Sequence, residues 1–151
     1  IKIAEKEARK SDIELHALEA SDVRGAARHF KTILSEANGA TDAVWLLFDK
    51  VVPDQTIVPF ALDAAWKKNI ILFSHNPAHS KRGALFSLFP DHEKMGYNLA
   101  EFSIKQIISN TPLVLPLSSL KVSVNERTAS HLGLHYTSGQ RESFDIIYPL
   151  R

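Results

Sequence analysis

Five polar residues directly follow two apolar runs and are the candidate ligand-binding residues: Asp49, Lys50, Ser74, His75 and Asn76. The two runs, 43–48 and 69–73, have the composition of buried strands. The carboxyl ends of parallel strands meet at one edge of a sheet, which is where α/β folds bind ligands. A carboxylate, a hydroxyl, an imidazole and an amide at one edge could hydrogen-bond a small polar ligand that carries an amine or hydroxyls.

A third apolar run, 84–89, is followed by Pro90 and Asp91. Asp91 either contributes to the same edge or caps the helix that the following residues predict. Asp49 and His75 could alternatively act as an acid/base pair in an enzyme, which requires them to lie within hydrogen-bond distance of each other. The sequence leaves both alternatives open.

Metal and cofactor chemistry lack their usual motifs. The chain has seven histidines and no cysteine. His75 and His79 have the spacing of two ligands on one helix, but Asn76 and Pro77 between them are typical of a loop. There is no Gly-x-Ser-x-Gly, Walker or Gly-x-Gly-x-x-Gly motif. We therefore expect no metal site, no cofactor and no catalytic residues.

Length and charge bound the class of protein. The chain has 151 residues, of which 44% are hydrophobic, and these values suit one domain spanning residues 1–151. The formal net charge of +1 leaves no strongly basic surface of the kind that binds nucleic acid. A nucleic-acid partner is therefore not expected.

Periodicity and capping residues predict alternating helices and strands. The expected helices are 1–10, a helix capped by Ser21 or Asp22, one beginning after Thr56, one from Asp91 to about 109, and 126–132 capped by Asn125. The expected strands are 13–18, 43–48, 69–73, 84–89, an extended stretch within 114–124, and 144–148. The polar stretch 136–143 is the only expected linker. This order predicts an α/β fold with a mainly parallel sheet and helices on both faces.

Several of these stretches together resemble a known family. They are Leu46–Asp49, Asn69–Ser74, Arg82–Leu85, Pro90–Asp91, Met95–Gly96, Val124–Ala129 and Leu132–Leu134. The combination resembles the substrate-binding proteins of ABC transporters, in the type I periplasmic binding protein group that includes tryptophan- and tyrosine-uptake components. The resemblance runs from about residue 40 to residue 135 and covers only the second of the two lobes of such proteins.

The resemblance implies a function and a location. Such proteins are not enzymes; they bind a small molecule, such as an amino acid, in the cleft between two α/β lobes and deliver it to a membrane permease. Asp49 would be the cleft aspartate, and Ser74, His75 and Asn76 would form the next loop of the cleft. Gly83 would allow a tight turn into the following strand. The implied location is the periplasm, with a signal peptide outside this chain. A ligand-sensing or structural domain derived from this fold is the alternative.

The resemblance also predicts a missing element. Relatives begin this lobe with a strand ahead of the helix at 1–10, so the chain is expected to be truncated at its N-terminus. In a doubly wound sheet that first strand is central, and its absence would leave a gap with unpaired backbone groups between the second and third strands, 13–18 and 43–48. Residues outside this chain, the final strand 144–148 or another subunit could fill the place, which predicts a homodimer or strand exchange.

Overall fold

The computed structural model describes residues 1–47, 54–106 and 117–150. The elements, in chain order, are α1 (Lys2–Arg9), α2 (Val23–Glu36), β1 (Ala43–Leu46), α3 (Asp54–Lys68), β2 (Ile71–Ser74), α4 (Pro77–Arg82), β3 (Phe86–Pro90), α5 (His92–Gln106), β4 (Leu120–Asn125), α6 (Glu126–His131), α7 (Ser138–Glu142) and β5 (Ile146–Tyr148).

The five strands form one sheet in the order β1-β2-β3-β4-β5. Strands β1, β2 and β3 are parallel neighbours, β4 is antiparallel to β3, and β5 is parallel to β4. The predicted α/β fold with a mainly parallel sheet is therefore confirmed. The three strands that were expected to end at a common edge do point the same way.

The hydrophobic core lies between one face of β1 and β2 and the helices α2 and α3. Alternation along the strands turns Val44, Leu46 and Leu72 to this face. Helix α3 contributes a stripe of buried residues at helical spacing, and α2 contributes Leu34. The α3 residues in this core are Val58, Ala61 and Ala65.

The opposite face of the sheet carries a row of stacked aromatic rings. Trp45, Phe73 and Phe86 occupy paired positions, with ring centroids 5.6 Å apart for the first pair and 4.9 Å for the second. Trp45 is 42% exposed. The unbroken apolar run 43–48 is typical of a strand covered on both faces, and this expectation is wrong for β1, because Val44 and Leu46 are buried whereas Ala43 and Trp45 are exposed.

The N-terminal twenty residues differ most from the prediction. Helix α1 forms as expected, but none of its residues is buried. The expected strand at 13–18 is absent, and Ile13 and Leu18 are 57% and 49% exposed. Alternation alone does not make a strand, because the backbone groups of an extended segment need a paired neighbour.

Capping residues set most helix boundaries. Asp22 caps α2 and Asn125 caps α6, as predicted. Helix α3 begins at Asp54 rather than after Thr56, so Pro59 lies inside the helix and not in its first turn. Helix α5 follows Asp91 and is described as far as Gln106.

The stretch expected to be a linker, 136–143, contains helix α7. A capping box forms there, in which the Thr137 hydroxyl accepts the Gln140 N–H and the Gln140 side chain accepts the Thr137 N–H. Strand β5 follows and pairs with β4 at the far edge of the sheet from β1. The final strand therefore does not fill a place beside β1.

Candidate functional site

The carboxyl ends of β1 and β2 lie at the same level of the sheet. Leu46 pairs with Ser74, and Ser74 pairs with Ser87. Strand β3 continues beyond Ser87 to Pro90, where its partner is β4 alone. The candidate site is therefore the edge where β1 and β2 end, beside the middle of β3.

The residues after β2 bridge this edge. His75 is half-buried, and its Nδ1–H donates to the backbone carbonyl of Leu46 at 3.4 Å, which connects the ends of β1 and β2. Asn76 is the N-cap of α4, and its side-chain oxygen accepts the Ala78 N–H at 3.0 Å. The structure thus brings together three of the predicted site residues: Ser74, His75 and Asn76.

Asp49 and Lys50, the other two predicted site residues, lie outside the described residues. Their place in the site, and the distance between Asp49 and His75, therefore stay predictions. The described residue that follows them is Asp54, the first residue of α3.

A chain of hydrogen bonds runs from the end of β2 to the start of α3 through a buried histidine. The Ser74 hydroxyl oxygen lies 2.7 Å from His79 Nδ1, and His79 Nε2 lies 3.1 Å from Asp54 Oδ2. The His79 side chain is 4% exposed and the Asp54 side chain 56% exposed. These hydrogen bonds therefore connect the buried end of β2 with the Asp54 carboxylate at the surface.

The hydrogen-bond partner of His79 Nε2 shows that this nitrogen carries a proton. An ionised carboxylate only accepts hydrogen bonds, so Nε2 of His79 carries the proton and donates to Asp54. The Ser74 hydroxyl shares a hydrogen bond with His79 Nδ1, and the Ser74 oxygen accepts the Asn76 N–H at 3.0 Å. Ser74 is 1% exposed, so its hydroxyl is not positioned as a nucleophile despite the serine–histidine–aspartate order.

A row of serines lies under α4. Ser74, Ser87 and Ser123 occupy paired positions on β2, β3 and β4. The Ser123 hydroxyl donates to Ser80 at 3.0 Å; Ser80 lies 2.6 Å from Ser87, and Ser87 donates to the Asn76 carbonyl at 2.8 Å. Because these side chains are small, the short helix α4 packs directly on the sheet beside the candidate site.

Asp91 does not belong to this edge. It follows β3 four positions after Ser87 in the chain, which is roughly 13 Å along an extended strand. Its carboxylate is buried and accepts the Lys94 N–H at 3.1 Å, so it caps α5. Of the two alternatives for Asp91, the structure supports the helix cap.

The pKa of Asp91 is lowered, chiefly because its carboxylate accepts the Lys94 N–H. Burial acts in the opposite direction and raises the pKa, whereas the ammonium groups of Lys121 and Lys94 lower it further. A carboxylate with a lowered pKa in the folded state stabilises the fold above its unfolded pKa of about 3.9 and loses that contribution as the pH falls through the folded value. We expect Asp91→Asn, which keeps an N-cap oxygen, to be less stable than wild type near neutral pH.

This deficit should shrink as the pH falls below about 4. Urea unfolding of both proteins at a series of pH values measures it. A deficit that is the same at neutral and acidic pH would show that the charge of Asp91 does not stabilise α5.

Sequence reasoning missed α4, and with it His79. The signal was present: Asn76 and Pro77 are an N-cap and a first helical residue, and Gly83 ends the helix. Gly83 has φ +128°, a conformation that glycine adopts more readily than other residues, and it leads from α4 to the residues preceding β3. The expected tight turn at Gly83 is therefore present, although it ends a helix that was not predicted.

Other features of the described residues lie apart from this edge. A surface concavity of about 320 Å³ is lined by α1 and Lys10 alone. Within 1–47, 54–106 and 117–150, no group of three or more histidine or acidic side chains is placed to hold a metal ion. None of the helices in those ranges is long and apolar enough to cross a membrane.

The fold is similar to that of several solved structures. One is a conserved domain protein from Vibrio cholerae O1 biovar El Tor, 17% identical, with a TM-score of 0.65 over 97% of this chain and 48% of that one. Another is the ABC domain in complex with L-Trp from Streptococcus pneumoniae, 15% identical, with a TM-score of 0.66 over 97% of this chain and 48% of that one. A third is a ligand-free, open substrate binding protein with adhesive properties from Clostridium difficile, 16% identical, with a TM-score of 0.64 over 99% of this chain and 49% of that one.

These similarities define the fold. The chain spans about half the length of each of these structures and has the α/β fold of a single lobe like those of periplasmic binding proteins. No protein-family model matches the sequence, and no curated protein matches it significantly. Two of the similar structures are described by what they bind or by the binding of substrate, not by an enzymatic activity.

Proposed function

We propose that this chain is one lobe of a solute-binding protein and that it binds a small polar molecule at the edge where β1 and β2 end. The observation that carries the proposal is the parallel arrangement of β1, β2 and β3, in a fold shared over almost the whole chain with an L-Trp complex and a substrate binding protein. Ligands bind at the carboxyl edge of parallel strands in such folds.

The proposed ligand site consists of Asp49, Lys50, His75 and Asn76, with the buried Ser74 supporting the turn that carries His75 and Asn76. An amino acid is the proposed ligand class, because a carboxylate accepts hydrogen bonds from an ammonium group while lysine and backbone N–H groups donate to a carboxylate. The similar structures are about twice the length of this chain, so we propose that a second lobe completes the cleft. Closure of two lobes around a ligand would supply contacts that one lobe lacks.

Transport is the proposed biological setting. The protein would deliver its ligand to the permease of an ABC uptake transporter, and its location would be the periplasm of a bacterium. We do not propose a nucleic-acid partner, because the formal net charge of the protein is only +1.

A thermal-shift screen with L-tryptophan, L-tyrosine and other amino acids tests the binding function. A ligand that binds only the folded state raises the free energy of unfolding, by about 2.7 kcal/mol when its concentration is a hundred times its dissociation constant. The melting temperature rises as a result. We expect Asp49→Ala to abolish the shift produced by the amino acid that binds wild type.

Asp63→Ala is the control, because Asp63 is an exposed residue of α3 that pairs with Lys67 at the surface. This variant should keep the full shift. A shift that survives Asp49→Ala would place the ligand elsewhere, and the absence of any shift across the screen would contradict the proposed ligand class.

We also propose that β1 pairs with a strand from another subunit. Within the described ranges no strand pairs with the outer edge of β1, and Ala43–Leu46 contain no lysine or proline that would protect that edge. Unprotected edge strands pair readily with other chains. Sedimentation velocity over a range of concentrations should show a dimer, and a monomer at every concentration would contradict this part of the proposal.

A further inference from the structure

We propose that His79 is a positioning residue of the proposed ligand site, holding the start of α3 against the end of β2. The inference rests on the proposed function, since it assigns a role to a residue beside the ligand-binding residues. One imidazole connects Ser74, which ends β2, with Asp54, which begins α3.

The histidine itself has a fixed position. It is 3% exposed, and its backbone N–H donates to the Asn76 carbonyl in the first turn of α4. Its backbone carbonyl accepts the N–H of Ala84. Both ring nitrogens have partners, as a buried polar side chain requires. The imidazole therefore holds Asp54, which is bonded at Nε2, in a fixed position relative to Ser74 of β2, which is bonded at Nδ1.

Asp54 is the group that this ring holds. Its carboxylate lies at the N-terminus of α3, where the helix dipole favours a negative charge, and it is more than half exposed. An exposed carboxylate at that place needs no buried partner for its own solvation. Its bond to a buried imidazole instead fixes the first turn of α3, five residues after Asp49 in the sequence.

One end of this chain of hydrogen bonds reaches the described residues of the proposed site, and the other end reaches the start of α3. At one end, the Ser74 oxygen also accepts the Asn76 N–H, which sets the turn that carries His75 and Asn76. At the other end, Asp54 follows directly on the segment 48–53, which contains Asp49 and Lys50. Loss of the imidazole would leave Ser74, and the turn that its oxygen sets, without a side chain that connects them to Asp54.

A double-mutant cycle tests the connection without any ligand. Ser74→Ala, Asp54→Ala and the double variant are compared by urea unfolding. If His79 couples the two ends, the effects of the single substitutions are non-additive, and nitrogen NMR of wild type shows a proton on Nε2 of His79. Additive effects, or a His79 ring without a proton on Nε2, would overturn the connection. Since Asp54 is exposed, its variants keep the test usable even where His79→Ala fails to fold.

A second measurement tests positioning, with L-tryptophan as the probe in isothermal titration calorimetry. We expect Asp54→Ala to weaken binding about tenfold, and Asp54→Asn, whose amide oxygen still accepts from Nε2, to remain within about threefold of wild type. Equal affinities for wild type and Asp54→Ala would overturn the positioning role. If wild type binds no amino acid, the proposed function fails, and the ligand-free cycle still decides whether His79 connects Ser74 and Asp54.

Discussion

Asn125→Ala is expected to destabilise the protein by about 2–3 kcal/mol, since it removes a helix cap and a buried hydrogen bond together. The Asn125 side-chain oxygen accepts the Thr128 N–H at 3.0 Å, at the start of α6. Its side-chain nitrogen donates to the Ser80 carbonyl of α4 at 2.7 Å. Asn125 is 6% exposed, so water cannot readily replace either bond. Chemical unfolding in urea measures the loss.

Asn76→Ala is the matched control. Asn76 caps α4 in the same way, with its oxygen on the Ala78 N–H, but it is less buried than Asn125. Loss of a cap alone costs about 1 kcal/mol. If Asn125→Ala costs no more than Asn76→Ala, the bond between α6 and α4 through Ser80 does not stabilise the fold.

Gly39→Ala is expected to destabilise the protein by about 1–3 kcal/mol, because the new methyl group would enter space occupied by backbone. A Cβ at this position would lie 2.5 Å from the carbonyl oxygen of Lys68 and 2.7 Å from that of Asn69. These oxygens belong to the last residue of α3 and to the residue after it, and α3 is fixed by its packing in the core, so the segment between α2 and β1 would have to move. Thermal unfolding followed by circular dichroism measures the change.

Gly96→Ala provides the control with the opposite expected sign. Gly96 lies inside α5 with nothing within 4 Å of the position that a Cβ would take. Alanine favours a helix over glycine by about 1 kcal/mol, so this variant should be more stable than wild type. A Gly39→Ala protein as stable as wild type would show that the contact between this segment and α3 relaxes without cost.

The parts of the fold that sequence reasoning predicted correctly are those with strong local signals. Helix α2 combines Asp22 as its cap with a stripe of apolar residues at helical spacing. Strand β2 is a short apolar run bounded by polar residues. In each case local propensity, capping and burial favour the same structure, and such agreement makes a segment predictable.

The prediction failed where a neighbour in space decides the structure. Residues 13–18 alternate as a strand does, but no strand lies beside them in the described structure. Helix α4 was missed because it has six residues, fewer than periodicity can identify, and because Asn76 and Pro77 are also typical of loops. Strand β1 is covered on one face only, which its unbroken apolar sequence did not indicate.

The candidate site was predictable only in part. The position of Ser74, His75 and Asn76 at the carboxyl edge followed from the strand pattern. The link from Ser74 to Asp54 through His79 did not, because Asp54 lies 25 positions before His79 in the sequence and the contact depends on how α3 and α4 pack. No periodicity or spacing encodes such a contact.

The serines beneath α4 restrict which substitutions this part of the protein tolerates. The hydroxyls of Ser123, Ser80 and Ser87 form a series of hydrogen bonds that ends at the Asn76 carbonyl, so the rotation of each hydroxyl depends on its neighbours. A larger apolar side chain in place of Ser87 would push α4 away from the sheet. It would also leave the Ser80 hydroxyl and the Asn76 carbonyl without the hydrogen bonds that Ser87 makes to them. Substitutions beside β2 are therefore expected to be tolerated more readily at the exposed residues of the edge than in this buried layer.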